Sequence, residues 1–201
     1  MFPAQALASE LHRLGWTITL ITDKRGEKFS GFFPVGVGKF VQISTTVKFN
    51  NPLKVLKAFF LIIVSVTQAL ILFVRFKPDV VIGFGGYPSF STLLVAKIFK
   101  VKSIIHEQNA TLGRVNRLFS KTAKVVACSF WPTDAPVGTK LCLTGNPIRP
   151  CVLPGKHRAF NLPLKGRLNI AVIGGSQGAS IFSRVIPEAI TILPNHLRNR
   201  L

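Results

Sequence analysis

The chain has 201 residues, 48% of them hydrophobic, which is enough apolar material for a packed core and excludes a disordered tail. Lysine and arginine number 26 against seven acids, a formal charge of +19, so an anionic partner is expected: polyphosphate, acidic lipid or nucleic acid. The basic residues are spread along the whole chain, with no zinc-type spacing and no RNA-binding signature, and this ranks nucleic acid last. Cys128, Cys142 and Cys151 are odd in number and lack metal-ligand spacing, as expected of free thiols in a reducing compartment. The first residues carry no basic stretch ahead of an apolar run, so no secretory signal is read there.

In chain order, Pro3 suits a first helical turn, and Ala4, Leu7, Ala8, Leu11 and Leu14 recur at helical spacing up to Gly15. A strand is predicted over 16–22, a turn at Asp23, Lys24 and Gly26, and a strand over 39–44. A long helix runs from Pro52 to Phe76 and stops before Pro78. Then come strand 79–83, helix 88–100, strand 102–106, helix 112–120, and strands 124–128 and 140–143. A final strand over 169–173 leads into a last helix. Alternating strands and helices at this interval predict an α/β fold with a Rossmann-like, doubly wound parallel sheet. Residues 151–167, rich in proline, glycine and basic side chains, read as a linker between a first domain over 1–150 and the start of a second over 168–201.

Two glycine turns carry the chemistry. In Asp79-Val-Val-Ile-Gly-Phe-Gly-Gly-Tyr-Pro-Ser89 a buried-type strand ends at Gly83, Gly85 and Gly86 and opens a helix. Ile170-Ala-Val-Ile-Gly-Gly-Ser-Gln-Gly-Ala179 repeats the pattern at Gly174, Gly175 and Gly178. Glycines let backbone N–H groups approach a ligand, and a helix N-terminus favours phosphate. A plain strand-to-helix turn needs the same residues, and neither turn has the full dinucleotide-binding spacing; their pairing favours diphosphate. At 106–109, His-Glu-Gln-Asn follows a strand, where open α/β sheets place ligands. Glu107 is one of only seven acids, which assigns it an orienting or catalytic role, whereas His106 alone reads better as a satisfied structural histidine.

Residues 58–74 carry no charge, and seventeen helical residues rise about 25 Å, short of a bilayer's apolar core. On a helical wheel Lys54, Lys57, Leu61, Val64, Ser65, Gln68, Leu72 and Arg75 share one face. Facing solvent, it would form an apolar patch rimmed by Lys54, Lys57 and Arg75, suited to an anionic membrane surface; a wholly buried core helix fits the periodicity equally.

Several stretches together resemble the MurG family of bacterial peptidoglycan glycosyltransferases. They are Phe2-Pro3-Ala4 with Ala6-Leu7-Ala8 and Glu10-Leu11, Gly83 to Ser89, His106 to Asn109 with Gly113 and Asn116-Arg117, Thr144-Gly-Asn-Pro-Ile-Arg-Pro150, and Gly174 to Ala179. The resemblance implies a GT-B fold of family 28, a peripheral place on the cytoplasmic face of the inner membrane, and inverting transfer without metal or cofactor. N-acetylglucosamine would pass from UDP-N-acetylglucosamine to lipid I, giving lipid II for peptidoglycan and cell-wall synthesis. It implies a diphosphate site of the acceptor at Gly83, Gly85, Gly86, Tyr87 and Ser89, and donor contacts from Asn109, Arg149, Ser176 and Gln177. The family's strand and histidine-ended glycine loop ahead of the Phe-Pro pair have no counterpart after Met1, and most of its sugar-nucleotide domain has none before Leu201. Transfer by this chain alone is therefore not expected. The alternative is a phosphate- or nucleotide-binding module of Rossmann type with no transferase activity.

Overall fold

The computed structural model describes residues 1–43, 52–149, 166–174 and 180–201, with the side chains of 52–54 excepted. Helix α1, Phe2–Arg13, starts with a proline in its first turn and ends on Arg13, a cation that complements the carbonyl end of the helix dipole. Strand β1 spans Thr19–Thr22. The short helix α2, Lys24–Glu27, is capped by Asp23, whose Oδ1 accepts from the backbone N–H groups of Arg25 and Gly26 at 3.0 and 3.1 Å. A single 3₁₀ turn over Ser30–Phe32 precedes strand β2, Gly38–Val41. Ser44, the last residue of the strand expected there, lies outside the described residues.

Helix α3, Pro52–Phe76, is followed by β3, Val80–Gly83, and α4, Tyr87–Ile98. Then come β4, Lys102–Glu107, α5, Arg114–Phe119, β5, Val125–Cys128, and β6, Leu141–Leu143. All pairings are parallel. The strands form two sheets, β1-β2 and β3-β4-β5-β6, as the helical crossovers demand.

The larger core lies where α3 and α4 cover the four-stranded sheet. Leu93, Val95, Ile105 and Val126 are all 2% exposed or less, and each contributes about 1.5–3 kcal/mol through burial. A smaller core joins α1 to the two-stranded sheet through Ala8, Phe33 and Val37. Side chains of the loop after β2 hold the elements together. Gln42, buried, donates from Nε2 to the Pro88 carbonyl at 2.5 Å and accepts from Ser91 Oγ at 3.2 Å, so the carboxyl end of β2 sits against the start of α4.

The chain divides into two compact units, Met1–Pro154 and Gly155–Leu201. In the second, α6 spans Ile181–Ile192 and α7 Asn195–Arg198. The strand expected over 169–173 is absent: residues 167–174 have no regular secondary structure, and the Leu168 N–H donates to the Arg200 carbonyl at 2.6 Å. A parallel strand needs a neighbour to complete its hydrogen bonds, and the described part of this unit contains no other strand and no buried residue. The apolar run 170–173 therefore stands exposed.

Gly83 is closely packed. A Cβ there would lie 3.0 Å from Leu93 Cδ1, inside the core. Gly83→Ala is expected to destabilise the first unit by about 1–3 kcal/mol through overpacking, measured by urea unfolding; an unchanged midpoint would refute the close approach.

Candidate functional site

The carboxyl ends of β3 and β4 carry the polar cluster. After β3, Gly85 and Gly86 adopt φ of +79° and +76°, the left-handed region in which a side chain is strained. Gly86 is the residue before α4, and no side chain caps that helix. Ser89 instead ties the loop to itself: its Oγ donates to the Gly85 carbonyl at 2.8 Å, and its N–H reaches the Gly86 carbonyl at 3.2 Å. The N–H groups of Gly86 and Tyr87 have no acceptor among the described hydrogen bonds, and Pro88 has no N–H to offer. An uncapped helix start with two open donors is a cradle for an oxyanion.

Gly83 does not belong to this cradle. It is buried inside β3, registered opposite Ile105, so its backbone serves the sheet. The sequence reading placed it with the ligand because strand end and loop look alike in a run of glycines. The close approach it permits is to Leu93.

Glu107 is 2% exposed and fully engaged. Its Oε1 accepts from Asn109 N–H at 3.1 Å and Asn109 Nδ2 at 2.9 Å, and its Oε2 accepts from Gly113 N–H at 2.9 Å and Asn116 Nδ2 at 2.8 Å. Four donors on one buried carboxylate compensate its desolvation and leave it no open position. The catalytic assignment to Glu107 is thereby corrected: the group orients Asn109, Asn116 and the start of α5, and it touches no open space. Asn109 is exposed, with its backbone N–H and its side-chain N–H₂ both held by Glu107.

Asn116 was not singled out as a site residue, yet it links the two halves of the cluster. It is 2% exposed, and the position of a Cβ on Gly85 would fall 3.1 Å from its Nδ2 and 3.3 Å from its Oδ1. Both neighbours of its Nδ2, the Glu107 carboxylate and the His106 carbonyl, are acceptors, which fixes the amide orientation and leaves Oδ1 as a buried acceptor with no partner among the described residues. The signal was in the sequence as a polar residue on the inner side of a short helix, but spacing alone does not reveal a contact with the glycine loop.

His106 is buried and satisfied, as read from the sequence. Gln108 Nε2 donates to its Nδ1 at 2.9 Å, so its own Nε2 carries the proton and donates to the Gly145 carbonyl at 3.2 Å. Its ring lies 5.5 Å from that of Phe84. The segment after β6 is thus fastened to the end of β4, and farther along it Arg149 stacks its guanidinium 4.2 Å above the Phe2 ring of α1. Tyr87 and Ser89 are half-buried beside the loop. Ser176 and Gln177 lie outside the described residues.

The face of α3 expected to meet a membrane points inward. Leu72 and Ser65 are buried, Leu61 and Val64 are half-buried, and Gln68 Oε1 accepts the Ile43 N–H at 3.0 Å. The polar members of that face mark a seam toward the loop after β2, where a backbone donor needs an acceptor, rather than a solvent side. The side that is exposed is more apolar: Leu56, Phe59, Phe60, Ile63, Ile71 and Val74 are each at least 49% exposed. Lys57 and Arg75 are exposed too, and the Lys54 side chain lies outside the described residues. Val55–Phe76 is long and apolar enough to cross a bilayer by length and composition.

A parallel α/β layer structure with a glycine turn at its strand ends defines a Rossmann-like class of protein. The model of the glycosyltransferase family 28 N-terminal domain matches residues 1–128, well over half the chain, and the chain belongs to that family. Among curated proteins, those named "UDP-N-acetylglucosamine--N-acetylmuramyl-(pentapeptide) pyrophosphoryl-undecaprenol N-acetylglucosamine transferase" from Mesorhizobium japonicum and Chelativorans sp. are 43% and 42% identical. Each aligns with 100% of this chain, and the chain spans 54% of their length. The namesake from Caulobacter vibrioides is 42% identical, with 56% of its length covered. The crystal structure of Acinetobacter baumannii MurG superposes with a TM-score of 0.68 at 26% identity, covering 95% of this chain and 54% of that one. The match to that fold agrees with the α/β, parallel-sheet architecture read from the sequence.

Replacing Glu107 by Gln puts an N–H₂ group among four donors. Glu107→Gln is expected to lower stability by about 1–3 kcal/mol in urea unfolding and to loosen Asn109 and Asn116, seen as faster exchange of the Gly113 amide; unaltered exchange would remove the orienting role.

Proposed function

We propose that this chain is the acceptor-handling, membrane-facing part of an inverting N-acetylglucosaminyltransferase that passes the sugar from UDP-N-acetylglucosamine to lipid I. The observation that carries the proposal is the uncapped, doubly left-handed glycine loop at the start of α4, braced from below by the Asn116 amide, in a family 28 chain. The curated relatives are named for the same transfer.

The chemistry requires a nucleophilic acceptor hydroxyl, stabilisation of a developing oxocarbenium and neutralisation of the departing nucleotide diphosphate. In this reading the N–H groups of Gly86 and Tyr87 hold the pyrophosphate of the lipid, with the loop fixed by the Ser89 hydroxyl. The Asn116 Oδ1, a buried side-chain acceptor with no partner among the described residues, accepts from a donor group of the bound ligand. Asn109 presents its amide oxygen to the donor sugar while Glu107 holds its N–H₂. Arg149, kept in place by Phe2, supplies positive charge for the donor diphosphate. Ser176 and Gln177 are assigned to the same nucleotide on the strength of the second glycine turn. The first unit takes the acceptor and the second begins the sugar-nucleotide domain.

The chain acts as a peripheral protein at the inner face of the plasma membrane. Helix α3 lies along the lipid surface, because Ala58, Ala69, Leu72 and Phe73 anchor one side of it in the core. The opposite side offers Phe59, Phe60 and Ile63 to the acyl boundary, with Lys57 and Arg75 available to anionic headgroups.

For the acceptor site, the chain is expected to bind vesicles containing lipid I at least about tenfold more tightly than vesicles containing undecaprenol without phosphate. Gly85→Val, strained at its left-handed φ and pressed on Asn116, is expected to abolish that preference while circular dichroism stays unchanged; equal binding to both vesicles would end the proposal. Supplying radiolabelled UDP-N-acetylglucosamine then reads transfer directly, and binding without transfer would favour the phosphate-binding module. For the membrane face, Phe60→Glu with Ile63→Glu is expected to weaken flotation with anionic vesicles by about tenfold or more, whereas Leu61→Ser leaves flotation nearly unchanged. The reverse ranking would restore the face expected from the helical wheel.

A further inference from the structure

The connections that lead into the strands of the larger sheet gather lysine at one edge of the first unit. Lys77 follows α3, Lys100 follows α4, and Lys102 opens β4. Lys121 and Lys124 lie between α5 and β5, and Lys140 comes just before β6. Backbone bonds fix the last two strand starts: the Lys124 N–H reaches the Ser103 carbonyl at 2.8 Å, and the Lys140 carbonyl accepts from the Val126 N–H at 2.8 Å. Because β3, β4, β5 and β6 are all parallel, the six lysines share the amino ends of the strands, opposite the glycine loop and Glu107. All six are exposed, and among the described residues none belongs to an ion pair. In the segments that hold them, 77–79, 99–102, 120–124 and 138–140, the one acid is Asp79.

Two observations separate this edge from an ordinary solvated surface. A cation in the last turn complements the carbonyl end of a helix, and α3 and α4 already hold Arg75 and Lys97 there. Lys77 and Lys100 come after that turn, at φ of +44° and +56°, the left-handed region that glycine fills without strain. Both positions keep a charge against the preference of the backbone. In addition, Lys102, Lys124 and Lys140 head three neighbouring strands about 5 Å apart, and like charges gathered there repel until an anion lies across them.

We propose that this amino-terminal edge is a docking surface for an acidic segment of another protein, whose carboxylates lie across the strand starts. Charge sets the sign of the partner, and the surroundings set its class. The helices cover the faces of the sheet, so the strand starts look out at right angles to the exposed side of α3, and a flat bilayer resting on that side meets this edge only at its rim. Single-stranded nucleic acid stacks its bases on free rings, whereas the rings here are engaged: Phe99 packs on Phe73 at 5.9 Å, and the Arg75 guanidinium lies 5.6 Å from the Phe76 ring. A duplex is read by a helix or ribbon that enters a groove, and this edge is made of turns. From β3 to β6 three strand spacings cover about 14 Å, so about four extended glutamates or aspartates reach across. The inference does not depend on the transferase reading.

The test measures binding of the whole chain to a labelled peptide with a run of glutamates, by fluorescence anisotropy at low salt. Lys102→Glu with Lys124→Glu and Lys140→Glu is expected to weaken binding by about tenfold or more. Lys24→Glu with Lys28→Glu and Lys39→Glu lowers the net charge equally at exposed lysines around the two-stranded sheet, and is expected to cost less than about threefold. Lys77→Gly with Lys100→Gly is expected to raise the urea midpoint while weakening the peptide by about threefold or more. Absence of binding by the unaltered chain, or equal losses in the two charge-reversed variants, would overturn the inference. So would undiminished binding by the double glycine variant, or a greater loss by the edge variant toward anionic vesicles or an oligonucleotide than toward the peptide.

Discussion

One buried carboxylate organises the strand ends of the first unit. Glu107 closes β4, and its four hydrogen bonds set the turn at Asn109, the start of α5 at Gly113 and the Asn116 amide. Asn116 in turn lies against Gly85, so the glycine loop rests on a group whose orientation Glu107 dictates. A buried charge is tolerated only when its lone pairs are filled, which makes these neighbours interdependent: none can move without exposing another's unmet hydrogen bond. The chain has few acids, and this one is spent on rigidity.

Parallel β/α alternation was legible because its signals are local. Val80-Val-Ile82 and Val125-Val-Ala127 read as strands covered on both faces, and proline or glycine marks most of the turns between them. The positions of the glycine loop and of His106 to Asn109 at strand ends followed from that alternation. What the sequence withheld depended on partners distant in the chain. Glu107 was read as a candidate for chemistry since a lone acid beside an anion site invites that role, and only coordinates reveal four donors closing on it. The orientation of α3 was misread for the same reason: Gln68 is polar, but its polarity is used inward on Ile43. The strand over 169–173 had the right residues and no strand to pair with among the described residues of its unit.

On α3, phenylalanines and isoleucines project without backbone need, since a helix satisfies its own N–H and C=O groups, and any apolar layer can cover them.

Arg149 stacked on Phe2 brings together residues from nearly opposite ends of the first unit. Contacts between such distant positions form late, after most of the intervening chain has been organised. During synthesis on the ribosome, α1 must therefore wait for almost the whole unit to emerge before it acquires its final clamp. Until then only the Phe2 end of α1 lacks its partner, because Ala8 can already pack on Phe33 and Val37.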